Sequence, residues 1–312
     1  MRHWAAVGVI AGVVLASGLS GGVARAELPV PYVFGAGIVN EVRNPGGSLP
    51  GSNDWHCVPG AAHPDPVVLV HGFASNAQTD WGTYVPLLAN EGYCVFAVTY
   101  GGYPQQPWPV PAFAGLRDIA SSTAEIAAFV DRVLAATGAH RVDIVAHSEG
   151  TVAANYYVKR RGGAAVVHRI VSLGANHTGS AAFGAVTARD YARRNGFGPD
   201  FEGSMDAVCE SCMQVLAGSP LLTELNSDGL YAPGVVYTNI LTRYDEFVVP
   251  YTAGAGDAPN ATTIVVQDGC DIDYSDHLSI AASRRAAMYV LNALDPEHPH
   301  PVPCEFVAPL VG

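Results

Sequence analysis

The 312-residue sequence predicts an α/β fold, a mostly parallel central sheet with helices on both faces. Three observations predict it. Apolar, β-rich runs alternate with helical patterns along the chain. The runs are continuously hydrophobic rather than alternating, which suits strands buried on both faces. Long irregular stretches follow some of these runs, where α/β proteins build pockets and covers.

Taken in order, residues 1–26 open on basic Arg2, run apolar from Trp4 through Leu15, and reach Ala24-Arg25-Ala26 before Glu27. This predicts a secretory signal peptide with an A-x-A cleavage site, too short for a membrane span; a retained N-terminal anchor is the alternative. Residues 27–65 are rich in Gly, Pro and Asn, and predict an irregular N-terminal arm packed on the domain surface. A single domain is expected over 66–312. Its strands are read at 67–70, 94–99, 142–146, 169–173, 235–241 and 262–266. Helical spacing predicts helices over 116–137, capped by Gly138, over 148–159, and over 284–294. Two stretches break the alternation: 101–114, crowded with Pro and aromatics, and a lid-like insertion at about 178–220.

Charge narrows the partners. The formal charge of −12 becomes −14 once Arg2 and Arg25 leave with the signal, and no basic cluster opposes it. Such a surface repels nucleic acid and anionic membranes, while neutral lipid surfaces, which attract through apolar area, stay open. No later apolar run reaches membrane-spanning length, so a soluble, extracellular protein is expected, and a monomer. The six cysteines, Cys57, Cys94, Cys209, Cys212, Cys270 and Cys304, form an even set in an exported chain and predict disulfides. Sequential pairing is expected, chiefly because Cys57 and Cys94 flank neighbouring strands. A redox reading of Cys209-x-x-Cys212 lacks the strand that a thioredoxin-like unit would place before it.

The sharpest chemical signal is Val142-Asp143-Ile144-Val145-Ala146-His147-Ser148-Glu149-Gly150, a strand entering x-x-Ser-x-Gly and leaving into a helix. A nucleophile elbow requires that context, because a strained turn exposes the hydroxyl and small neighbours give it clearance. Ala146 stands where Gly is usual. An earlier strand ends in His71-Gly72-Phe73, and the loop after it can offer a backbone N–H to a developing oxyanion. Phe73 and Glu149 are the candidate donors, although a charged Glu149 side chain would oppose the oxyanion. A serine hydroxyl needs a base, and the base needs an orienting carboxylate. In the order Ser, acid, His, the candidates are Asp245, after the strand at 235–241, and His277, after the last strand. Among eleven histidines, His140 and His168 precede strands, His147 adjoins the nucleophile, and His177 comes before the acid. Glu246 and Asp257 compete with Asp245; Asp276 is too close in sequence to reach its neighbour's ring. Asp271-x-Asp273-x-x-Asp276 could suggest calcium, but it lacks the Gly and distal Glu of an EF-hand loop, so no metal is expected.

These residues resemble the secreted lipases of actinobacteria, lipase class 2, within the α/β-hydrolase superfamily. The likeness runs from Asn53-Asp54-Trp55-His56-Cys57 through Pro66–Phe73, Glu91–Ala97 and Ala146–Gly150 to Asn176-His177 and Asp276-His277-Leu278. It implies an α/β-hydrolase fold and hydrolysis of acylglycerols or related lipid esters without a cofactor. It carries the nucleophile onto Ser148, the acid onto Asp245 and the base onto His277. Gln or Met is commoner after the elbow serine, so Glu149 bears on substrate preference. Trp108, Phe113 and Phe183 are the expected acyl-chain contacts. Alternatives are another secreted serine hydrolase, such as a polyester depolymerase or acyltransferase, or a binding protein with a decayed triad.

Overall fold

A computed structural model describes residues 1 and 26–312, so the expected signal peptide lies almost wholly outside the described residues. Six strands form one all-parallel sheet: β1 (Val67–Val70), β2 (Val95–Val98), β3 (Val142–His147), β4 (Val167–Leu173), β5 (Val236–Leu241) and β6 (Ala261–Val265). Their order across the sheet is β2-β1-β3-β4-β5-β6. All six fall on the hydrophobic runs read from sequence.

Continuous hydrophobicity has a direct structural use. In β1, Val68 and Val70 join one core with Phe96, Ile144, Ile126 and Val130, while Val67 and Leu69 join a second core with Val145, Leu88, Val290 and Leu291. Successive side chains of a strand point to opposite faces, so a strand covered on both sides must be apolar throughout. Helices α3 (Ile119–Thr137) and α4 (Glu149–Arg160) serve the first core, and α2 (Tyr84–Asn90) and α9 (Arg284–Leu294) the second. Asp118 caps α3 by accepting from the Ser121 N–H, and Gly138 ends it in the left-handed conformation.

Two regions differ from their sequence reading. The arm is not wholly irregular: it contains α1 (Ile38–Arg43), one and a half turns too short to show clear periodicity. The insertion is helical, with α5 (Ala185–Arg194), α6 (Gly198–Asp206) and α7 (Glu210–Gln214) in succession, and α8 (Pro220–Leu225) follows at its end. Short helices broken by Gly and Pro give weak periodic signals, which is why they read as loop.

The cysteines pair as Cys57–Cys94, Cys209–Cys212 and Cys270–Cys304. The first ties the arm to the residue before β2, and the last ties the C-terminal tail to the loop after β6. Among the described residues, no helix is long and apolar enough to cross a membrane.

The chain steps from β1 outward to β2, then returns past β1 to β3. The loops leaving β1 and β3 therefore diverge, and a crevice opens beyond the carboxyl ends of these two strands. In open α/β sheets that reversal is where ligands bind.

Candidate active site

Ser148 sits in that crevice, at the junction of β3 and α4, with φ 54° and ψ −125°. A non-glycine residue is held there only by its surroundings. Gly150 is the clearest of them: a Cβ on it would lie 2.3 Å from the Val70 carbonyl oxygen and 2.4 Å from that of His71. The helix could not approach β1 with any side chain at 150. Ala146 is fully buried within the first core, so its methyl is absorbed by packing.

His277 Nε2 lies 2.7 Å from Ser148 Oγ, and His277 Nδ1 lies 2.8 Å from Asp245 Oδ2. Three side chains spread over a span of 129 residues of chain thus form one continuous hydrogen-bonded path. Asp245 Oδ1 accepts from the main-chain N–H groups of Phe247 and Val248, at 3.0 and 2.6 Å, so its carboxylate is fixed in place. Gly174, at φ +52°, passes so close that a Cβ would meet His277 Nδ1 at 3.0 Å. The competing acids have other positions: Glu246 accepts the His277 N–H at 3.2 Å, and Asp257 is exposed. Asp276 accepts from the Ser279 N–H and hydroxyl, both at 2.8 Å, and from the Leu310 N–H at 2.7 Å. It shapes the turn that carries His277.

Of the remaining histidines, His140 is exposed, His168 pairs with Asp65 at 2.9 Å, and His177 is buried against Asn239 at 2.9 Å. The acids of the 271–276 segment do not gather: Asp271 is exposed, and Asp273 accepts from the Ser275 N–H at 2.8 Å. One group of the described residues brings potential cation ligands together, Asp65, Asp143 and His168. It lies at the amino ends of β3 and β4, the opposite edge of the sheet, and Arg141 approaches Asp65 there at 3.5 Å.

Two cavities meet at Ser148. The larger, about 560 Å³, is lined by Trp108, Phe113, Phe34, Ile38 and Leu278 among others. The smaller, about 250 Å³, is lined by Phe183, Met205, Met213, Leu216 and Val248. Phe73 and Phe247 border both. The three aromatics read from sequence are therefore divided, Trp108 and Phe113 on one side and Phe183 on the other. Phe34, Ile38 and Val42 were not singled out in the sequence; the i, i+4 spacing of Ile38 and Val42 is the signal that could have found two of them.

Phe73 follows Gly72 on the loop after β1, and Glu149 opens α4, where first-turn N–H groups have no intrahelical partner. The helix N-terminus adds partial positive charge at the same place. The Glu149 side chain turns inward and is 2% exposed, with Tyr100 Oη 3.4 Å from its Oε1. Burial pushes its carboxyl up to about 8. Burial thus favours its neutral form, which would oppose a developing oxyanion less than a charged carboxylate.

A family model described as Lipase (class 2) matches residues 64–286. Among solved structures, lipase B of Aspergillus fumigatus aligns over 82% of this chain and 56% of its own, with 17% identity and a TM-score of 0.61. The mature form of Bacillus licheniformis lipase BlEst2 aligns over 80% of this chain and 99% of its own, with 16% identity and a TM-score of 0.53. At such identities these likenesses speak to fold. This chain spans little more than half the length of the Aspergillus protein.

Proposed function

We propose, on the premise that the chain belongs to the lipase (class 2) family and is a hydrolase of the α/β-hydrolase fold, that it cleaves carboxylic esters of lipids with Ser148, His277 and Asp245 as its triad. The observation that carries this reading is the path from Ser148 Oγ through His277 to Asp245, with links of 2.7 and 2.8 Å, opening onto two apolar cavities.

Ser148 Oγ attacks the ester carbonyl while His277 Nε2 takes its proton. Asp245 holds Nδ1–H and stabilises the imidazolium that forms. The main-chain N–H groups of Phe73 and Glu149 receive the oxyanion, a contribution typically worth about 3 kcal/mol for each donor. His277 then returns the proton to the leaving alcohol, and water resolves the acyl-enzyme by the same steps in reverse. No cofactor enters this scheme.

One cavity would take the acyl chain and the other the alcohol side, with Trp108 and Phe113 in the first wall and Phe183 in the second. Phe73, Trp108 and Phe113 stand 43%, 52% and 51% exposed at the larger cavity, apolar area suited to a lipid–water interface. Export fits the N-terminal pattern and the three disulfides.

Ser148→Ala should lower turnover of p-nitrophenyl esters by at least about ten-thousand-fold with the fold intact by circular dichroism. Near-wild-type turnover in that variant would exclude the mechanism. Emulsified triglyceride assayed beside a short soluble ester and a polyester film separates a lipase from a depolymerase, and labelling by a fluorophosphonate at residue 148 excludes a decayed triad.

A further inference from the structure

Two buried ionisable groups stand behind the triad and take no part in the proton transfers described above. His147, the last residue of β3, is 3% exposed, and Asp80, on the loop after β1, is 3% exposed. His147 Nδ1 lies 3.1 Å from both carboxylate oxygens of Asp80. On the other side of the ring, Nε2 lies 3.0 Å from the main-chain carbonyl oxygen of His277. Asp80 Oδ2 also accepts the Gly72 N–H at 2.8 Å.

A carbonyl oxygen only accepts, so Nε2 must carry a proton. The equal distances from Nδ1 to both oxygens suit a ring N–H shared between two carboxylate oxygens, whereas a protonated acid would turn one O–H toward the ring. This geometry suits protons on both nitrogens and an imidazolium paired with Asp80. The neighbouring His71 shows the opposite arrangement under equal burial: its Nδ1 faces the Gly72 carbonyl at 2.8 Å, and its Nε2 accepts the Tyr100 N–H at 3.2 Å. With one donor and one acceptor beside it, His71 is neutral, and burial drives it down to about 4. His147 is buried too, yet the Asp80 charge and hydrogen bond hold it above its ordinary value.

We propose that His147 is a positioning residue for the reaction: as an imidazolium paired with Asp80, it clamps the main chain of the base His277 while Asp80 clamps that of the oxyanion loop at Gly72. One buried pair thereby joins the elbow, the loop after β1 and the loop after β6, the three segments whose relative placement sets the attack geometry. The groups facing the His147 ring are Asp80, the His277 carbonyl and ring, with ring centroids 5.1 Å apart, Asp245 behind that ring, and the edge of Phe34 at 6.5 Å. This inference rests on the reading of Ser148 and His277 as nucleophile and base.

Two measurements on the full-length protein test it. Nitrogen-15 NMR with labelled histidine at pH 7–8 should show protons on both ring nitrogens of residue 147, assigned by their loss in His147→Gln or their reduction to one in Asp80→Asn. A singly protonated ring in the wild type overturns the proposal. On a soluble short-chain ester, His147→Gln should lose on the order of 10–100-fold in kcat with KM changed by less than about threefold, because misplacement penalises the chemical step rather than binding. Asp80→Asn can donate to Nδ1 and accept from Gly72, keeping the clamps without the charge, and should recover most of that loss. Wild-type kcat in His147→Gln, with Ser148→Ala inactive, refutes the positioning role and leaves the triad standing. Full activity in Ser148→Ala refutes the triad instead.

Discussion

The strand-edge loops and the 178–220 insertion enclose the same serine by opposite means. At the strand edge, Asp80, His147, Asp245, Asp276 and His277 are at most 9% exposed and each accepts or donates several hydrogen bonds. In the insertion, α5 and α6 pack mainly on one another and on α7, and Phe183, Tyr191 and Val208 are 79%, 57% and 76% exposed. Polar bonds to the body gather at its two ends: Ser180 donates to the Phe247 carbonyl at 2.6 Å and the Ala181 N–H to the Val249 carbonyl at 2.8 Å, while Glu210 accepts the Asp118 N–H at 2.6 Å, Gln214 accepts the Ile119 N–H at 2.8 Å, and Ser211 donates to the Gly115 carbonyl at 2.8 Å. Chemistry that needs sub-ångström placement sits where the side chains of Ser148, His277 and Asp245 are all hydrogen-bonded. In the proposed reaction, selection of an apolar substrate would fall to the insertion, which has more exposed apolar surface.

The disulfides offer the largest break in this contrast. Cys57–Cys94 closes 37 residues onto the sheet and Cys209–Cys212 closes three within the insertion. Chain-entropy arguments give about 4 kcal/mol for the first and about 2 kcal/mol for the second. Denaturant titration of the two Cys→Ser double variants should reproduce that order, and equal losses would show the insertion to be as integral as the sheet. Next in size is Gly174→Ala, which pushes a methyl against the His277 ring; on the order of a hundredfold loss of kcat is expected, read by steady-state kinetics. A variant with unaltered kcat would mean that the strand edge tolerates displacement.

Glu149 lies where the two regions meet, and its protonation gives the pH dependence. Its ordinary value is 4.5 and its folded value about 8, so the folded chain holds a proton that the unfolded chain has released between those limits. The neutral form's contribution is complete below about pH 4.5 and is lost as pH rises through about 8. Glu149→Gln, which cannot ionise, should melt several degrees above wild type at pH 9 and level with it near pH 4. Parallel melting curves at both pH values would show that the carboxyl is not neutral in the folded state. The smallest effect is expected from Phe183→Ala, exposed and edge-on to Phe247 at 5.4 Å. Chain-length preference should move by roughly threefold to tenfold with the melting temperature unchanged. A loss of stability there would contradict the loosely held insertion.

The six strands, the elbow at Ser148 and the order Ser148, Asp245, His277 are legible in the chain itself. Strand hydrophobicity, the x-x-Ser-x-Gly turn and the positions after strand ends are all local patterns, and a parallel sheet aligns those ends automatically. Helix α1 escaped because it is too short to repeat, and the insertion because Gly and Pro divide its helices. The division of Trp108 and Phe113 from Phe183 escaped because cavities are bounded by segments remote in sequence.

Charge states belong wholly to the tertiary structure. Nothing beside Glu149 in sequence favours its neutral form; burial does, against the opposing hydrogen bond from Tyr100. His71 follows β1 and His147 ends the adjacent β3, and both are buried, yet burial lowers the first and pairing raises the second, because only His147 hydrogen-bonds an acid, one 67 residues away. Local periodicity determines which elements form, whereas desolvation and pairing sum over whatever the fold brings within a few ångströms.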